Sequence, residues 1–178
     1  MKTLKKLLQE LLLIFLGVIL ALFFNNVQEN RTDRAKINGL LSKIELGTEK
    51  NIQSLNMQLN QNQKVMDSLT YYLEDTTLRV GDILELAGGI RYIQFDLAAW
   101  NVLKSSELLI DVDYDLTSLL YLLNESIIAD ASTLNWVNNT VGKEDKEDLI
   151  STISDYIVSI KHRLVLSQEI QKLLKEQK

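Results

Sequence analysis

Fourteen consecutive positions, Leu11 to Phe24 (LLLIFLGVILALFF), carry no polar side chain, whereas the apolar residues further along fall in stripes. A stretch that is apolar on every face predicts a helix with no aqueous side. Counting back to Leu7 gives eighteen residues, or about 27 Å of helix, against a hydrocarbon core of roughly 30 Å. That count admits Gln9 and Glu10 near one end, where polar heads reach the interface at modest cost. The pattern predicts one slightly short membrane span. A cleaved secretory signal needs small residues at its cleavage site, and after Ala21 the chain reads Leu-Phe-Phe-Asn-Asn, with Phe23 where the second small residue belongs.

Beyond the span the period changes. From about Thr3 to Asp75 only Gly17, Gly39 and Gly47 interrupt helix-forming residues, so one long helix is expected to continue from the membrane as a stalk over about 31–75. Within it Thr48, Ile52, Leu55, Leu59, Asn62, Met66, Leu69 and Leu73 alternate steps of four and three, a coiled-coil-like seam with two polar members. The remaining faces between Asn51 and Lys64 are mostly Asn and Gln. Gly81, Gly88 and Gly89 mark residues 76–95 as a turn and connector with one or two helical turns. Residues 96–104 open on Asp96 and predict a short helix. A long helix is expected over about 116–141, with Leu116, Leu119, Leu120, Leu123, Ile127, Ala131, Leu134 and Val141 on one side and Gly142 as its stop. The last, about 145–176, starts in an acidic run, buries Leu149, Ile153, Ile157, Ile160, Leu164 and Leu174, and ends among lysines, the charge order a helix dipole favours. The fold class is all-α: residues 1–30 form an anchor with its flanks, and 31–178 an antiparallel helical bundle.

Composition narrows the possibilities. The 178 residues include no Cys, which excludes disulfides and Cys-based zinc sites, and no Pro, which suits long helices. Residues 1–36 carry six Lys/Arg against three Asp/Glu, so the rest carries thirteen against twenty-one, about minus eight. A nucleic-acid footprint is therefore missing. Lys2, Lys5 and Lys6 before the span are balanced by Arg31, Arg34 and Lys36 after it. The very short basic tail predicts an N-terminus on the cytoplasmic side of a bacterial inner membrane, with the long C-terminal domain periplasmic.

Candidate chemistry is sparse. Asp111, Asp113 and Asp115 have the alternation of a calcium loop, but Leu116 and Leu122 stand where an EF-hand needs Gly and Glu; one of these aspartates is expected to cap the following helix. Glu144, Asp145, Glu147 and Asp148 are interleaved with Lys143 and Lys146 and read as a solvated helix start. His162 is the sole histidine, so zinc motifs and catalytic triads lack partners. Trp100 and Trp136 fall on apolar stripes and read as core. These patterns predict no enzyme activity, no cofactor and no metal.

The span carries the best constellation. At 100° per residue Glu10, Gly17, Ala21 and Gln28 fall within about 20° either side of Glu10. Gly17 and Ala21 form a small-xxx-small pair that lets backbones approach, and Glu10 and Gln28 could hydrogen-bond across a helix interface.

Three stretches also carry a family resemblance: Glu10-Leu11-Leu12-Leu13, then Gly17-Val18-Ile19-Leu20-Ala21-Leu22 with Asn25-Asn26 and Glu29-Asn30-Arg31, and later Ala99-Trp100-Asn101-Val102-Leu103-Lys104-Ser105-Ser106 onward to Leu120. They resemble a bacterial family of small single-pass membrane proteins classed as a domain of unknown function. Val27 departs from its pattern, which has an aromatic there. The resemblance implies an anchor followed by a helical domain and no activity. The functional expectation is a non-enzymatic, membrane-anchored helical protein that assembles with copies of itself or with another membrane protein. The alternative is an extracytoplasmic sensory or ligand-binding bundle.

Overall fold

The computed structural model describes the backbone of residues 2–141 and 145–177 and the side chains of 10–129, 139–141 and 145–177. Every regular element among them is helical: α1 (Lys2–Tyr71), α2 (Val80–Ala87), α3 (Ala98–Lys104), a 3-10 turn (Glu107–Asp111), α4 (Tyr114–Val141) and α5 (Lys146–Glu176). The chain divides into two compact units, residues 1–40 and 41–178.

The first unit is helical along its described length and fully apolar over Leu11–Phe24, where every side chain is exposed. It supplies the one helix among the described residues that is long and apolar enough to cross a membrane, with a mean hydropathy of 2.2 over an 18-residue window that is 0% buried.

The second unit is an all-α bundle of the distal part of α1 with α4, α5 and the short elements. Its core has two connected parts. Val65 and Leu69 of α1, Val80 and Ile83 of α2, and Leu149, Ile153 and Ile157 of α5 form one cluster. Leu55, Tyr156 and Ile160 form the other, closed by Ile93 and Phe95 from the connector. Each such side chain contributes about 1.5–3 kcal/mol on burial. On the far side Trp100 and Leu103 of α3 and Leu116, Leu120 and Leu123 of α4 are buried, and the Trp100 ring meets Tyr121 edge-on at 5.0 Å.

Chain ends within the bundle are held by specific groups. Asp113 Oδ1 accepts from Leu116 N–H at 3.0 Å and Asp145 Oδ1 from Asp148 N–H at 3.0 Å, so each aspartate caps a long helix. The Asp82 carboxylate accepts from the Arg79 N–H at the start of α2, and Gly88 (φ 86°) and Gly89 (φ 73°) end it in the left-handed region. Gly142 lies outside the described residues, as do the side chains of Ala131, Leu134 and Trp136.

α1 and α5 run antiparallel. Lys146, in the first turn of α5, donates from Nζ to the carbonyls of Tyr72 (2.8 Å) and Asp75 just past the end of α1, while further along Gln58 meets the Tyr156 hydroxyl.

Candidate functional site

Two features stand out, one in each unit. In the first, Glu10, Gly17, Ala21 and Gln28 are all exposed on regular helix, so the strip expected from their spacing is presented on one surface. Gly17 has open space where a Cβ would project. Among the described residues nothing covers the apolar side chains around it: Leu13 and Ile14 are each 68% exposed.

In the second unit the seam residues are spoken for by the chain itself. Thr48, Leu55, Asn62 and Leu69 are buried, and Ile52, Leu59, Met66 and Leu73 are half-buried. The seam therefore faces α2, α5 and the connector of its own chain. Asn62 neither faces solvent nor meets a second Asn across a coiled coil; it is fully buried against the connector.

That contact belongs to a ladder. Residues 88–97 run without helix along α1 as a strap, and amide side chains of α1 pair with its backbone. Asn62 Nδ2 donates to the Arg91 carbonyl at 3.1 Å, and the Arg91 N–H donates to Asn62 Oδ1 at 2.8 Å. About three turns toward the N-terminus of α1 the arrangement repeats: Asn51 Nδ2 donates to the Asp96 carbonyl at 3.3 Å, and Asn51 Oδ1 accepts from the Asp96 N–H at 2.9 Å. Gln61 Nε2 reaches the carbonyls of Ala87 (2.8 Å) and Gly89 (2.9 Å) at the strap's start, and Gln58 Nε2 reaches that of Arg91 at 3.2 Å. A side-chain amide has the donor and acceptor of a peptide group, so each Asn acts as one residue of a missing strand and satisfies the extended backbone.

Close approach makes this possible. A Cβ built on Gly47 would sit 3.2 Å from the Asp96 carbonyl oxygen. The run of Asn and Gln does not by itself disclose this in sequence, because amides suit water equally well. The signal was the spacing of Asn51, Gln58 and Asn62, steps of seven and four on the side facing the core.

Other candidates are structural. Asp75 Oδ1 accepts from the Thr77 hydroxyl at 2.6 Å and the Thr77 N–H at 2.8 Å. These bonds, helped by the Leu78 N–H and the charge of Lys146, hold its carboxyl below the ordinary value against a small opposing effect of burial. The open cleft beside it, between residues 73–80 and 145–147, is thus organised as a helix-end clamp. His162 is exposed on α5, and Trp100 is buried. Among the described residues no three His, Asp or Glu side chains gather as metal ligands.

Comparison with models of known families, with curated proteins and with solved structures finds no match to this chain.

Proposed function

We propose that this chain is a non-enzymatic membrane protein, anchored by α1, that serves as a scaffold or accessory subunit in an assembly of copies of itself or with another membrane protein. The observation that carries the reading is the exposed helix of the first unit, apolar on all faces over Leu11–Phe24 but gathering Glu10, Gly17, Ala21 and Gln28 on one strip. Helices in lipid associate where small residues let backbones approach and polar groups bond across the contact. A purely lipid-facing helix gains nothing from collecting a carboxylate, two small residues and an amide on one side.

The ladder supports a structural role for the second unit. Buried Asn51, Gln58 and Asn62 hold the strap, and Asp75, Asp82, Asp113 and Asp145 cap or clamp helix ends. The resemblance of the N-terminal stretch to small single-pass bacterial membrane proteins fits the same reading, with the N-terminus cytoplasmic and the bundle periplasmic. Replacing Gly17 and Ala21 together by Leu tests it. The expected result is a smaller particle in mild detergent at unchanged helicity; an unchanged particle mass removes the strip from the account.

A further inference from the structure

Each of two helices in the bundle carries an exposed seven-residue stripe in which three of four members share one charge. On α1 the exposed residues Lys43, Lys50, Met57 and Lys64 follow one another at steps of seven, with exposed Leu46 between the first two. On α5 the exposed residues Asp155, His162, Glu169 and Glu176 do the same, with Val158 (62% exposed) and Val165 (54%) interleaved. Lys43, Lys50, Lys64, Asp155 and Glu169 make no ion pair among the described residues, and Glu176 meets only the exposed Lys172, at 4.0 Å. The domain is acidic overall, so an exposed α1 stripe whose charged members are all lysine is against the trend of its composition.

The two stripes share a side of the molecule. On both helices the charged stripe is displaced by roughly 90–160° in the same rotational sense from the buried stripe. Because α1 and α5 are antiparallel, equal rotation brings both stripes to the same side of the pair, the side crossed by the strap, where Arg91 Nη2 lies 3.9 Å from Met57 Sδ. The Gln58–Tyr156 and Lys146–Tyr72 bonds fix the register. It puts Lys64 near the level of Asp155, Lys50 near Glu169 and Lys43 near Glu176, each offset by one to five residues, at most about one and a half helical turns.

We propose that a second copy of this chain docks face to face on this side, as a two-fold dimer in which α1 of each copy lies along α5 of its partner. A two-fold axis parallel to α1 and α5 of the bundle sets each lysine stripe against the opposite acidic stripe, twice per dimer. Met57 then faces His162, and Leu46, Val158 and Val165 gain apolar cover between the charges. Parallel pairing of α1 with α1 through the same stripe would align lysine with lysine, so the charge pattern selects the α1–α5 pairing. This deepens the assembly reading and rests on it.

The test uses full-length protein in lipid nanodiscs. Two differently tagged copies, one Lys50→Cys and one Glu169→Cys, are co-expressed and treated with a short bis-maleimide; the chain has no other Cys. The expected product is a cross-linked pair carrying both tags, absent when Glu125→Cys on α4 replaces Glu169→Cys. In parallel, K50E should weaken self-association by about tenfold, and adding E169K should restore most of it. With helicity intact, no mixed cross-link, or a K50E chain that associates as before, overturns this dimer. If the chain still assembles and Leu at positions 17 and 21 dissolves that assembly, the membrane-strip reading stands without it.

Discussion

Asn62 and Arg91 are joined by a two-way bond: the Asn62 amide gives a hydrogen to the Arg91 carbonyl at 3.1 Å and takes one from the Arg91 N–H at 2.8 Å. A buried residue of a helix thereby does for an extended segment what a neighbouring strand does in a sheet. The strap residues depend on this, because they have no regular secondary structure of their own.

Removing the amide should therefore act on the strap first. Asn62→Ala leaves both backbone groups of Arg91 without this partner and is expected to cost about 1–3 kcal/mol in denaturant unfolding. The Arg91 amide should exchange slowly with solvent deuterium in the parent protein and quickly in the variant, while amides in the middle of α5 keep their protection. Equal acceleration throughout the bundle would show that the strap has no separate stability.

Gly47 tests the same contact from the other side. The Asp96 carbonyl 3.2 Å from its missing Cβ leaves no room for a branched side chain. Gly47→Val should destabilise the bundle even though Gly is a poorer helix former than Val, and exchange should rise at Asp96. A Val variant as stable as the parent contradicts the close packing.

Asp75 predicts an acid-sensitive clamp. Its carboxyl is held below the ordinary value chiefly by the hydroxyl and then the N–H of Thr77. A folded-state pKa below the unfolded one gives a stabilisation that is complete above the unfolded value of about 3.9 and lost as pH falls through the folded value. Thr77→Val should move the Asp75 titration, followed by carboxyl NMR, back upward and shrink that acid dependence. A titration unmoved by the substitution removes Thr77 as the cause.

How much of this was legible in the sequence depends on how local each signal is. Leu11–Phe24 stands out because its fourteen apolar residues cover every face of the helix, where the later helices are striped. The long helices were readable from the stripes of Leu149, Ile153, Ile157 and Ile160 or Leu116, Leu120 and Leu123, all of them buried. The short helix begins at Ala98 instead of Asp96, because the Asp96 backbone is engaged by Asn51. The seam positions were readable too, but not their partner: Asn62 pairs with Arg91, 29 residues away, and no local period encodes a contact with an extended segment. The lysine and acid heptads were hidden for a related reason. A seven-residue step of charge means little until the structure shows which flank of each helix is left uncovered.

The central claim is assembly in the membrane, and the mass of the gently extracted full-length protein tests it most directly. Native mass spectrometry from bilayer vesicles, with identification of whatever co-purifies, is predicted to give a defined multiple of the 20.4 kDa chain or a stoichiometric complex with a second membrane protein. A lone monomer across the working concentration range would contradict the claim.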